Sequence, residues 1–115
     1  MATKRQVEAK LRELMSRLAA SEDARGSLAD SLPVARVIAV SVPDLGGEYW
    51  TVMSEGRMDG LHRGSLERAD IRVRVESDDL VDLVDGKRSL FSSFVGGRVK
   101  VDASVSDLLR LRKLT

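Results

Sequence analysis

The stretch whose reading decides the fold runs from Ala69 to Leu114. It opens Ala69-Asp-Ile-Arg-Val-Arg-Val-Glu76 and continues Ser77-Asp-Asp-Leu-Val-Asp-Leu-Val-Asp-Gly-Lys87. Ile71, Val73 and Val75 alternate with Asp70, Arg72, Arg74 and Glu76, the period-2 mark of a strand with one dry face. Ser77 before Asp78 and Asp79 predicts a helix start, because a hydroxyl cap accepts from free backbone N–H groups and acids suit the positive end of the helix dipole. Leu80, Val81, Leu83 and Val84 recur at helical spacing, and Gly86 stops the helix where a left-handed residue is needed.

Leu90, Phe91, Phe94 and Val95 fall on one face of a second short helix, ended by Gly96-Gly97. Val99 and Val101 then alternate with Arg98, Lys100 and Asp102, which predicts a second half-buried strand. Ser104 with Asp107 three residues on is a variant capping box, opening a last helix with Val105, Leu108 and Leu109 inside. The order is strand, helix, helix, strand, helix. Two short helices between two strands make a crossover long enough to leave those strands parallel or to set them apart in the sheet.

Those elements resemble the C-terminal half of the sterol carrier protein type two domain. The resemblance is carried by the Ala69-Asp-Ile-Arg-Val strand before a Ser77-Asp-Asp-Leu helix. Gly86-Lys87 ending that helix and Phe94-Val-Gly-Gly-Arg-Val-Lys-Val101 before the last helix complete it. It implies an α+β fold: a five-stranded mixed sheet, helices packed on one face, and an apolar cavity between them. The implied function is non-catalytic binding and transfer of a sterol, fatty acid or fatty acyl-CoA, driven by burial of apolar ligand area at about 25 cal/mol per Å². Under this resemblance the expected cavity lining is Leu80, Leu83, Val84, Phe91, Phe94, Leu108 and Leu109, with Trp50 from the sheet. In the closing helix Leu111 and Leu114 lie well round from the face of Val105, Leu108 and Leu109. Leu111 and Leu114 are therefore expected to close over the cavity mouth, with Arg110 or Arg112 meeting an anionic headgroup. An alternative from another class is a protein-interaction or dimerisation accessory domain with a collapsed core, since related domains are found attached to enzymes.

The first half agrees with the element order while matching few specific residues. Val7, Leu11, Leu14 and Leu18 form a stripe on a helix from Thr3 to about Ser21. A core-packed helix and a membrane-surface helix share that pattern, and the mixed Glu and Arg face without Trp or Phe favours the core. Ser21 to Gly26 reads as a break, with a second helical turn at Leu28 to Leu32. Val34 to Val42 carries apolar residues on both sides, as a central strand does. Pro43 to Gly47 is turn chemistry, and Glu48 to Ser54 is a strand with Tyr49 and Trp50 on opposite faces. Glu55-Gly56 reads as a hairpin turn, and Arg57 to Gly64 as a glycine-interrupted edge or bulged strand.

A chain of 115 residues with 43% apolar and 32% charged residues and net charge +1 reads as one soluble globular domain spanning 1–115. Balanced charge argues against nucleic acid as a partner. The absence of cysteine excludes disulfides, thiol catalysis and thiolate metal sites and fits a reducing cytoplasm. The charged start at Lys4-Arg5 lacks the apolar core of a signal peptide, and no apolar run approaches the roughly 18 residues of a membrane span. The end Lys113-Leu114-Thr115 is not a Ser-Lys-Leu peroxisomal address. From Lys87 onward seven basic residues face only Asp102 and Asp107. This asymmetry reads either as a solvated face or as a surface for transient contact with an anionic membrane.

No active site, cofactor site or metal site is evident. His62 is the only histidine and lies in the weakest strand, so a structural or exposed role is expected. Asp78, Asp79, Asp82 and Asp85 line a helix as a solvated acidic face rather than converging from a loop as calcium ligands do. Gly86-Lys87 is no phosphate loop, because Arg88 follows where Ser or Thr is required. Arg72, Arg74, Arg98 and Lys100 would share an outward sheet face if their strands pair. Asp70, Glu76 and Asp102 interrupt that patch. The few aromatic residues, Tyr49, Trp50, Phe91 and Phe94, leave a core of small aliphatic side chains, which permits a cavity without requiring one.

Overall fold

The computed structural model describes residues 2–31 and 35–112, with the side chains at 28, 31, 90, 91 and 110–112 outside the described set. Helix α1 (Lys4–Ala20) begins with a reciprocal cap: Gln6 N–H donates to Thr3 Oγ1 at 3.2 Å and Thr3 N–H to Gln6 Oε1 at 2.8 Å. Ser21 alone separates α1 from α2 (Glu22–Ser31), so the break is shorter than the sequence suggested and Gly26 lies within a helix. Ser21 Oγ accepts from Ala24 N–H at 3.1 Å, and Glu22 and Asp23 fill the first turn. These starting signals outweigh the roughly 1 kcal/mol that an interior glycine costs.

Strand β1 (Arg36–Val42) pairs antiparallel with β2 (Gly47–Ser54) across a 3₁₀ turn at Pro43–Leu45. Glu55 and Gly56 both take positive φ, 55° and 78°, as the tight turn before β3 (Arg57–Met58) demands. The expected glycine-interrupted strand is two pieces, β3 and β4 (His62–Arg63), each pairing with β2 at the sheet edge. On the other side β1 pairs in parallel with β5 (Ile71–Val75). The central position expected for Val34 to Val42 therefore holds for the described part of that segment.

After β5 come α3 (Ser77–Val84), α4 (Leu90–Val95), β6 (Val99–Ala103) and α5 (Val105–Arg112). The strand order is β3-β2-β1-β5-β6, with β4 beside β2, in a mixed sheet of six strands that counts the split edge strand twice. β5 and β6 are adjacent and antiparallel, with Val75 opposite Val99, so neither crossover geometry expected for them is adopted. With Val75 and Val99 opposite each other, the chain re-enters the sheet at the end from which it left.

Ser77 is the first residue of α3 rather than its cap. The cap position is Glu76, with no side-chain cap bond. Ser77 instead donates its N–H to Asp44 Oδ1 at 2.9 Å and its hydroxyl to Asp44 Oδ2, which ties α3 to the 3₁₀ turn 33 residues earlier. Gly86, at φ 77°, ends the helix as expected.

Alternation with Tyr49 assigns the two sheet faces. Val7 and Leu11 of α1 and Leu80 and Val84 of α3 form one buried cluster with Val42, Tyr49, Val75 and Val99. α1 and α3 run in the same direction, since Ala2 N–H donates to Asp78 Oδ1 and Lys10 meets Asp85. At 17 residues against 8, α1 outruns α3. Leu14 lies beyond that end and is 37% exposed, so the expected stripe is buried only at Val7 and Leu11.

Candidate functional site

The helix-side face of the sheet carries a second apolar cluster at its other end. Met53 and Ile71, each 2% exposed, form its centre, with Ile38, Met58, Val73, Val101 and Ala103 packed around them. Every one of these residues belongs to a strand; among the described residues no helix side chain belongs to the cluster. α5 is fastened beside it through Arg36 at the start of β1. The guanidinium donates from Nε to Asp107 Oδ2 at 3.0 Å and from Nη2 to Asp107 Oδ1 at 3.2 Å, with Asp107 3% exposed. The Asp107 partner holds the Arg36 pKa above its ordinary value. Asp107 N–H donates to Ser104 Oγ at 3.1 Å, so the expected cap of this helix is in place.

Beside this cluster an open groove of about 550 Å³ lies between α1, α2 and the β3–β4 segment. Its apolar lining is Met15, Leu18, Ala19, Met58 and Leu61, and Met58 belongs to both the groove and the second cluster. Arg12, Arg25 and Arg57 also line it, and among the described residues no carboxylate side chain does. The size suits a small-molecule site, and the mixture of apolar wall and cationic groups suits an amphiphile.

The hairpin tip fixes one side of the groove. A Cβ on Gly56 would meet the carbonyl oxygen of Arg25 at 2.2 Å, so the β2–β3 turn rests directly on the α2 backbone. On the opposite side Arg12 donates to Glu8 Oε1 at 3.2 Å, and the same oxygen takes Arg63 Nε at 2.9 Å. The Arg63 hydrogen bond, helped by Arg12, holds the Glu8 carboxyl below its usual range. One carboxylate shared by two arginines leaves this side net positive.

The residues expected to line a cavity are dispersed. Leu80 and Val84 are in the closed core with α1, and Leu83 is half-buried against it. Trp50 points away from the helices. It lies opposite Ala39 on the other sheet face and stacks on His62, with ring centroids 4.2 Å apart. Residue alternation forces this, because Tyr49 occupies the helix side. Phe94 is 47% exposed, and Leu109 and Val105 are 56% and 75% exposed. Among the described side chains of α5, Asp107 is the buried one, and at 100° per residue Val105 and Leu109 lie on the reverse of the helix. Leu108 is half-buried, whereas the side chains of Phe91 and Leu111 and all of Leu114 lie outside the described residues.

The sequence reading missed the groove's lining. Three arginines and two methionines scattered over α1, α2 and β3 carry no local motif, and only the docking of Gly56 on α2 brings them together. A spacing signal was available in Met15 and Leu18, which lie on α1 beyond the reach of α3.

Nothing in the described site has the arrangement of a catalytic group. Nε2 of His62 lies 3.5 Å from Asp59, while its ring serves as a stacking partner for Trp50. Among the described residues no group of three or more His, Asp or Glu side chains is placed to hold a metal ion. On the helix expected to be a solvated acidic face, Asp78, Asp82 and Asp85 have partners in Ala2, Arg88 and Lys10. On the open sheet face Arg74 pairs with Lys100 and Arg72 with Asp102. Among the described residues no helix is long and apolar enough to cross a membrane.

The fold is shared with several solved structures. Sterol carrier protein 2 like 2 from Aedes aegypti superposes with a TM-score of 0.67 at 11% identity, covering 97% of this chain and 98% of that one. A solution structure of palmitated SCP2L2 from the same organism gives 0.65 at 10% identity, over 98% and 94% of the two chains. The ubiquinone synthesis protein UbiJ-SCP2 gives 0.63 at 22% identity, over 99% and 92%. None of the curated proteins compared with the chain matches it. The family model of the SCP-2 sterol transfer family matches residues 5–115. With that span and this sheet and helix arrangement, the chain belongs to the SCP-2 sterol transfer family.

Proposed function

We propose that the protein binds and transfers an apolar lipid without catalysis, taking it into the groove between α1, α2 and the sheet edge. The observation that carries this reading is the position of Met58. It lines the groove and packs on the strand-only cluster of Met53 and Ile71, so a ligand tail entering past Met15, Leu18 and Leu61 meets buried apolar surface. Burial of that tail would supply about 25 cal/mol per Å². Membership of a sterol transfer family supports lipid as the ligand class, and the palmitated relative supports fatty acid as one member of it. Fatty acyl-CoA and sterol are the other candidates. The test is organic extraction of the purified protein with mass spectrometry, together with titration of fluorescent fatty acids and sterols into the protein and into Leu18→Glu. Co-purified lipid and weakened binding in the variant are the expected results. If no lipid co-purifies and no member of the panel binds, the carrier reading is lost.

The second reading, an interaction or dimerisation module, is favoured by exposed Phe94 and Val95 on α4 and Val105 and Leu109 on α5. Light scattering separates the two: a monomer at tens of micromolar sets the interaction reading aside, and a stable dimer supports it.

A further inference from the structure

We infer that the outer edge of β6 pairs with the same edge of a second copy of this chain, joining the two sheets into one. The two edges of the sheet are finished differently. At one, the chain is broken into the two-residue pieces β3 and β4, and the turn before β3 lies against the α2 backbone. Short, covered pieces keep a sheet edge from pairing further. At the other, β6 is a continuous strand of five residues whose sheet neighbour is β5. Among the described residues no backbone hydrogen bond reaches β6 from any element other than β5.

Charge selects the register. Lys100 and Asp102 are exposed and alternate with Val99, Val101 and Ala103, so they share the open face of the sheet. A charged edge is guarded when a second copy meets its own sign, but β6 carries one charge of each sign. Two such edges meet antiparallel about a twofold axis. Centred on Val101, the pairing sets Lys100 opposite Asp102 of the second copy, Asp102 opposite its Lys100, and Val99 opposite its Ala103. The neighbouring registers that keep the faces aligned set Lys100 against Lys100 or Asp102 against Asp102. Within one chain Lys100 lies opposite Arg74, and neither Lys100 nor Asp102 has an ion-pair partner among the described residues. Pairing gives each an opposite charge, together with the main-chain hydrogen bonds of an added strand. β6 and β3 stand at opposite ends of the strand order, so both grooves stay open whatever they hold. The surface also differs from that of the interaction reading, which is the exposed side of α4 and α5.

The experiment is sedimentation equilibrium of the intact protein from tens of micromolar to about 1 mM, with Lys100→Asp, Asp102→Lys, an equimolar mixture of these two, and Phe94→Ser. Both charged residues are exposed, and circular dichroism checks the folding of each variant. Should one of the two fail to fold, the other keeps the test valid. Expected is a dimer of the parent, weakened about tenfold or more in each single charge variant and by added salt, because like charges then face each other across the twofold. The mixture restores opposite pairs and should return to within about threefold of the parent, while Phe94→Ser should leave the dimer unchanged. A parent that stays monomeric over this range overturns the inference, as do charge variants that dimerise as tightly as the parent. So does a mixture of the two folded variants that associates no more tightly than they do separately. Loss of the dimer in Phe94→Ser with no loss in Lys100→Asp would move the interface to α4 and overturn it as well.

Discussion

The two ends of the helix-side sheet face are covered differently. At the Val42–Val75–Val99 end, α1 and α3 lie side by side and contribute Val7, Leu11, Leu80 and Val84 to one closed cluster. At the Met53 end, the described residues of the cluster all belong to strands, and the groove opens next to it. Both ends have apolar strand residues of the same kind, so strand composition does not set the difference among the described residues. Helix length contributes to it: α3 has 8 residues, while α1 continues past it and its later residues Met15 and Leu18 face the groove. A closed core and an accessible apolar surface thus arise from one amphipathic stripe.

The largest effect that would break this contrast is at the closed end. Leu80→Ala removes a side chain that is 6% exposed and should cost roughly 2–5 kcal/mol in denaturant unfolding. A loss below about 1 kcal/mol would mean that this end is no better packed than the other. Next is the anchor of α5. Arg36→Met removes the charged hydrogen bonds to buried Asp107 and should cost roughly 1.5–3 kcal/mol, with unfolding measured by circular dichroism. Leu14→Ala, on the same stripe as Leu11 but past the end of α3, should cost about 1 kcal/mol or less, because the side chain is already 37% exposed. A cost equal to that of Leu80→Ala would extend the closed core along all of α1.

The smallest effect concerns the tie between the 3₁₀ turn and α3. The Ser77 hydroxyl, helped by the Ser77 N–H, holds the Asp44 carboxyl below its ordinary value of 3.8. A depressed folded pKa gives stability that is fully present above the unfolded value and is lost as pH falls through the folded one. The stability difference between the protein and Asp44→Asn should therefore be constant near neutrality and shrink below about pH 4. A difference that does not change with pH would show that the carboxylate charge plays no part in holding α3.

Much of the fold was legible because its signals are local. The alternation in Ile71 to Val75, the stop at Gly86, the turn at Glu55-Gly56 and the Ser104 cap each depend on a few neighbouring residues. Local signals do not report what lies opposite. Ser77 has the sequence of a cap, yet Asp44 reaches it from 33 residues away and takes its hydroxyl. The apolar residues of α4 and α5 have helical spacing, but spacing does not say whether a partner surface exists, and Phe94, Val105 and Leu109 are exposed. Trp50 lies on the sheet face away from the helices, a position already implied by its opposition to Tyr49 in the sequence. The groove was invisible for the same reason, since its arginines and methionines come from three elements joined only by tertiary docking.

The most direct test of the account is amide chemical-shift mapping of the ¹⁵N-labelled protein during titration with laurate below its micelle concentration. Shifts concentrated at Met15, Leu18, Ala19, Arg25 and Gly56 to Leu61, with little change at Leu80 to Val84, are the predicted result. Shifts confined to α3, α4 and α5, with the groove residues silent, would contradict the placement of the lipid between α1, α2 and the sheet edge.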